Sequence, residues 1–111
     1  MAASASFVEL VVDLLHGLGT PISVRRMFGG AGVYAEGVMF GLIAQDVLYL
    51  KADSTTAIMY QDEGLGPFVY AGKTKPIAMS YWRVPERAMD DGDEMVLWAR
   101  PALEVARRAK K

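Results

Sequence analysis

Two short polar turns inside an apolar stretch constrain the fold of this 111-residue chain more than any other feature. Glu36-Gly37 and Gln45-Asp46 each separate runs of apolar residues, and the run between them is Val38–Ala44. Turns of two residues join antiparallel neighbours, and glycine takes the positive φ that such turns need. The region from Ile22 to Ala52 therefore predicts a three-stranded antiparallel meander.

Apolar residues at helical spacing precede the meander. The segment Phe7–Leu18 repeats with the period of an amphipathic helix, and its polar residues fall on the opposite face. Ser6 and Glu9 have the spacing of a capping box, in which the serine accepts a free backbone N–H and the glutamate reaches back. We therefore expect the first helix to begin at Ser6.

The second half of the chain predicts a helix, two strands and a final helix. In chain order these cover residues 54–63, Phe68–Tyr70, Ile77–Val84 and a segment that opens at Asp91. Pro101 lies inside the final helix, where a proline costs about 3 kcal/mol, so we expect a kink there. The order helix, three strands, helix, two strands, helix predicts an α+β fold. We expect residues 1–111 to form one domain, a two-layer sandwich of an antiparallel sheet and helices.

The residue types that many enzymes and metal sites use are scarce. The chain has no cysteine and one histidine, His16, so thiol chemistry, disulfides and a zinc site of ordinary composition are excluded. The acidic residues at 90–94 suit a helix N-terminus better than a calcium loop. Residues 30–35 fit a loose dinucleotide-binding pattern, but a strand and a turn follow where that chemistry needs a helix. We therefore expect no catalytic residue, no cofactor and no metal.

Basic and aromatic residues are interleaved along the expected strands. A net charge of −1 argues against a protein that depends on phosphate contacts, although a local basic patch could still bind nucleic acid or a protein. The alternative is that the basic side chains only cover exposed strand edges. The candidate interaction surface consists of Arg25, Arg26, Phe28, Met39, Ile43, Lys51, Tyr81 and Arg83.

Both alternations of the central strand are apolar. If Val38, Phe40 and Leu42 face the helices, Met39 and Ile43 face the other way. In a two-layer fold that second face would meet water, so an apolar second face predicts another contact surface. A two-fold homodimer is the simplest way to cover it.

Several blocks stand in a familiar order along the chain. They are Met27–Tyr34, Gly37–Ile43, Leu48–Lys51, Pro67–Tyr70, Met79–Pro85 and Trp98-Ala99. Together they resemble the signature of the TfoX (Sxy) N-terminal domain family. The resemblance implies an α+β fold with an antiparallel sheet, no established catalytic residues, and kinship with bacterial competence regulators that act as transcriptional co-activators with the cyclic-AMP receptor protein. Those regulators carry a C-terminal helical domain, and we expect a single-domain member without it.

The residues and the resemblance together favour a non-enzymatic regulatory or interaction domain that acts through a protein partner, with weak or indirect contact to DNA. The alternative is a small-molecule-binding domain or an enzyme with a pocket between sheet and helices. The first 19 residues lack the basic start of a signal peptide, and the longest apolar run is too short to cross a bilayer. We therefore expect a cytoplasmic protein with no membrane contact.

Overall fold

The computed structural model describes residues 3–27, 29–71 and 76–110. Within them, 3₁₀ helices at His16–Leu18 and Glu86–Met89 accompany three α-helices and six strands. The elements are α1 (Ala5–Leu14), β1 (Ser23–Met27), β2 (Gly30–Ala35), β3 (Val38–Ala44), β4 (Val47–Lys51), α2 (Ala57–Asp62), β5 (Pro67–Ala71), β6 (Pro76–Arg83) and α3 (Gly92–Lys110). The expected α+β class and the order of helices and strands are confirmed.

The six strands form one antiparallel sheet in the order β1-β2-β3-β4-β6-β5. Both tight turns are where the sequence placed them, and Glu36, Gly37, Gln45 and Asp46 all have positive φ. The meander has four strands rather than three, because Ser23–Met27 turns back at Gly29 and pairs with β2 as a strand of its own. After α2 the chain forms the outer strand β5 and returns as β6 between β5 and β4.

The three α-helices pack on one face of this sheet. The core joins residues of the strands to residues of α1 and α3, and Tyr60 of α2 packs against Trp82 and Trp98 with ring centroids 6.1 and 4.9 Å apart. The core residues contributed by β2, β3 and β4 are Ala31, Val33, Ala35, Val38, Phe40, Ile43, Leu48 and Leu50. The result is two layers, with helices on one side of the sheet only.

A β-bulge in β3 reverses part of the expected inward and outward pattern. Val33 pairs with Gly41 but Tyr34 pairs with Met39, so Phe40 is an extra residue in β3. Val38 and Phe40 point to the core as expected, but beyond the bulge the alternation moves by one residue. Ile43 is therefore fully buried, and Leu42 lies on the side away from the helices. The expectation for these two residues was wrong.

The helix starts follow side-chain caps, one of which differs from expectation. Ser4 rather than Ser6 caps α1, since its Oγ accepts the N–H of Phe7 at 3.2 Å. The carboxylate of Asp91 accepts the N–H of Asp93 at 2.9 Å at the start of α3, where the sequence predicted a cap. The helix α3 continues through Pro101 from Gly92 to Lys110, so it does not restart at the proline.

Candidate functional site

The side of the sheet away from the helices is the candidate site, and we call it the open face. Strand register places five residues in one row directly across it. Each residue of the row is the cross-strand partner of the next, in the order Arg25, Gly32, Leu42, Tyr49 and Arg83. We call this the cross-strand row. It crosses five strands, and four strand spacings of about 4.8 Å separate its two arginines by roughly 19 Å.

Apolar side chains cover the middle of the open face around Gly32. A Cβ added at Gly32 would lie 2.8 Å from the Cε of Met27, 3.0 Å from a ring carbon of Tyr34 and 3.1 Å from the Sδ of Met39. The absence of a side chain at Gly32 therefore lets its three neighbours close over the backbone. The glycine at this position thus builds a methionine-rich patch instead of a nucleotide loop.

Aromatic residues occupy the other half of the open face. Tyr49 and Phe68 meet edge to face, with ring centroids 5.1 Å apart and planes at 64°. The hydroxyl of Tyr81 donates to the carbonyl of Met39 at 3.4 Å. Burial raises the pKa of Tyr81, and the neighbouring Tyr34 raises it further. The Tyr81 phenol therefore stays protonated at neutral pH and remains a hydrogen-bond donor.

Three cations surround these apolar groups. The guanidinium of Arg25 lies 5.2 Å from the ring centroid of Tyr34, and the ammonium of Lys51 lies 5.1 Å from that of Tyr81. Lys51 also donates to the hydroxyl of Ser80 at 2.9 Å. The third cation, Arg83, is exposed at the end of the cross-strand row. Over the described residues, none of the three has a carboxylate within ion-pair distance.

The basic residues on the helix side are placed differently. Arg87 pairs with Glu63 and Glu94 at 2.8 and 2.9 Å. Arg107 contacts two glutamates at 2.7 and 2.8 Å, and Arg108 lies 3.1 Å from Asp53. Carboxylates thus neutralise much of the positive charge of the helix layer, while the three cations of the open face have no carboxylate partner among the described residues.

The structure brings together five of the eight residues of the candidate interaction surface. Arg25, Met39, Lys51, Tyr81 and Arg83 share the open face. Of the other three, Arg26 points to the helix side and donates to the carbonyl of Ala3, Ile43 is in the core, and Phe28 lies outside the described residues.

Sequence reasoning did not include five other residues of the open face. Met27, Tyr34, Leu42, Tyr49 and Phe68 belong to it by register or ring contact. Tyr49 could have been found, because it alternates with Lys51 on β4. Leu42 could not, since the bulge that exposes it has no distinctive residue pattern.

A shallow cleft of 580 Å³ lies at one end of the sheet, where α1 meets the β3–β4 turn and the second 3₁₀ helix. Its apolar lining includes Phe7, Leu10 and Met89. Two of its polar groups already have partners, because Asp46 accepts the N–H of Ser4 at 2.8 Å and Arg87 is ion-paired. Two of the five charged side chains that line the cleft are therefore already engaged.

The described parts of the chain form neither a cluster of metal ligands nor a membrane-spanning helix. There, no three acidic or histidine side chains come together as a metal site. None of the helices in those ranges combines the length and the hydropathy needed to span a bilayer.

Comparison with known proteins identifies the family. The model of the TfoX N-terminal domain matches residues 13–106, which include all six strands and most of α3. The chain belongs to the TfoX N-terminal domain family. It is also similar to the DNA transformation protein TfoX1 of Aliivibrio fischeri (strain ATCC 700601 / ES114), with 31% identity over 62 residues. That match covers 56% of this chain and 30% of the relative, so it concerns a minor part of the longer TfoX protein.

Proposed function

We propose that this TfoX-family domain is a non-enzymatic regulatory module that binds a protein partner through its open face. The observation that carries the proposal is a sheet face that is apolar in the middle, cationic at both ends and uncovered by the helices. Contiguous apolar surface of this kind is typical of a protein contact, and arginine and tyrosine are favoured at such contacts.

The proposed process is bacterial DNA transformation, under transcriptional control in the cytoplasm. Its support is family membership and the likeness to a protein named for DNA transformation. A net charge of −1 favours contact with DNA through the partner, because proteins that bind phosphates directly usually carry an excess of basic residues.

Ligand binding or catalysis in the 580 Å³ cleft is the second candidate. Its support is the mixed apolar and charged lining around Phe7, Arg83 and Glu86. The open face supports the first candidate better, because in the cleft Asp46 already accepts a backbone N–H and Arg87 is already paired with two glutamates outside the lining.

Site-specific photo-crosslinking in the native cell tests the first candidate. A photoreactive phenylalanine analogue at Tyr49 should give a discrete protein adduct, which mass spectrometry then identifies. The matched control places the same analogue at Leu97, an apolar residue of α3 that is 64% exposed on the helix side. Equal adducts from both positions, or no adduct from Tyr49, would contradict the proposal.

A further inference from the structure

The strands of this domain carry charged side chains of one sign only. The six strands contain four basic residues, Arg25, Arg26, Lys51 and Arg83, and no aspartate or glutamate. All 13 acidic residues of the chain lie in helices, turns or loops. The charged side chains of the strands are therefore all positive, although the net charge of the chain is −1.

The cross-strand row has a positive side chain at each end. It begins at Arg25, passes over the apolar groups of Gly32, Leu42 and Tyr49, and ends at Arg83. The two arginines stand roughly 19 Å apart, which an extended peptide covers in about six residues and a helix in about thirteen. A ligand that follows the row would place apolar groups in the middle and negative groups at both ends.

Three kinds of occupant can be compared on these features. A second copy of the chain, docked face to face, would bring like charges together, which costs binding energy. A single-stranded nucleic acid would need exposed rings for stacking, but Tyr81 is only 8% exposed, Arg25 covers Tyr34, and Tyr49 and Phe68 pack against each other. A protein segment with an apolar centre and acidic ends fits both the apolar middle and the cationic ends of the open face. Methionines adapt to apolar side chains, and arginines pair with carboxylates.

We infer that the open face binds a protein segment with an apolar centre and acidic residues on both sides. The apolar centre lies over Leu42 and the patch around Gly32, and the carboxylates reach Arg25 at one end and Arg83 at the other. Lys51, beside the row, takes a further acidic group. This inference rests on the proposed function and specifies the chemistry of its partner.

Selection from a random peptide library tests the inference without knowledge of the natural partner. The folded domain is immobilised and exposed to displayed peptides of about 16 residues, long enough to follow the row as a strand or a helix. We expect the selected peptides to have apolar residues flanked on both sides by aspartate or glutamate. Selection of peptides without acidic enrichment would overturn the inference.

Charge-reversal variants locate the binding. Arg25→Glu and Arg83→Glu should each weaken the best selected peptide on the order of tenfold, because each removes an attraction and adds a repulsion. The matched control is Arg100→Glu on the exposed side of α3, which changes the net charge equally and should leave affinity unchanged. Circular dichroism establishes that each variant is folded. If a variant with both Arg25→Glu and Arg83→Glu binds the peptide with the affinity of the unmodified domain, the inference is also overturned.

Two further outcomes separate this inference from the proposed function. Neutral apolar peptides that lose binding on Leu42→Glu, but not on Arg25→Glu, would refute the acidic partner and keep the open face as a protein site. The absence of any peptide that depends on the open face would refute both. A single-stranded oligonucleotide bound through Arg25 and Arg83 at physiological salt, with no peptide enriched, would replace the acidic segment by a nucleic acid.

Discussion

At the scale of single residues, Gly30 shows how closely β2 and β3 approach. A Cβ added there would collide with the backbone carbonyl oxygen of Ile43, which cannot swing aside as a long side chain can. Gly66 differs, because a Cβ there meets nothing within 4 Å and its φ is not in the left-handed region. Gly30 is thus a steric requirement of strand pairing, not a preference for flexibility.

We expect Gly30→Ala to destabilise the domain by about 1–3 kcal/mol, the usual range for overpacking. Gly66→Ala is the matched control and should change stability by less than about 0.5 kcal/mol. Urea unfolding followed by circular dichroism measures both. Equal stability of the two variants would show that β2 and β3 are less tightly joined than the structure has them.

The bulge at Phe40 puts Met39 and Ile43 on opposite faces of the sheet, so the two should respond oppositely to an introduced charge. Ile43 is fully buried, so Ile43→Glu places an unpaired carboxylate in the core, at a cost comparable to the whole stability of about 5–15 kcal/mol. Met39 is only half-buried on the open face, so Met39→Glu should remain folded. Far-ultraviolet circular dichroism distinguishes them. A folded Ile43→Glu domain would contradict the bulge.

At the scale of elements, Arg87 ties three pieces of the helix layer together. Its guanidinium donates two hydrogen bonds of 2.8 Å to Glu63 after α2 and one of 2.9 Å to Glu94 of α3. The indole N–H of Trp98 donates to the same Glu94 carboxylate at 3.0 Å. The hydrogen bond from Arg87 lowers the pKa of Glu63 below its ordinary value of 4.5.

That lowered pKa makes part of the stability depend on pH. The pairing favours ionised Glu63, so its contribution is present above pH 4.5 and is lost as the pH falls through the lower pKa of the folded state. We expect Arg87→Ala to lower the melting temperature at neutral pH. In acid, the difference in melting temperature between this variant and the original chain should become smaller. Arg100→Ala, whose arginine lacks a carboxylate partner among the described residues, should show no such convergence. A constant difference for Arg87→Ala across pH would contradict the linkage.

Elements differed in how far their sequence determined them. The two tight turns were predictable because Glu36-Gly37 and Gln45-Asp46 are local signals between apolar runs. The position of β6 between β4 and β5 was not, since it depends on pairing between Leu50 and Trp82, far apart in the chain. The same strand pairing places Tyr81 and Arg83 on the open face. The site was therefore predictable in residue type but not in arrangement.

At the scale of the whole molecule, one layer of helices leaves the sheet exposed on its other side. Such a layer covers half of the apolar strand residues and leaves the rest to water or to a partner. The sequence led us to expect a homodimer through that face, and this remains a prediction. In the structure, Arg25, Lys51 and Arg83 lie on that face without carboxylate partners among the described residues. A dimer through the open face must therefore bring like charges together.

This condition gives the predicted dimer an unusual salt dependence. Two open faces in contact bring cations together, and salt screens that repulsion with a Debye length of about 30 Å at 0.01 M and about 8 Å at 0.15 M. A dimer formed through the open face should therefore dissociate at low salt and form as salt rises in sedimentation equilibrium, with Met39→Glu monomeric throughout. An acidic peptide should bind with the opposite dependence. A monomer at every salt concentration would refute the dimer, and a dimer favoured by low salt would place its contact away from the open face.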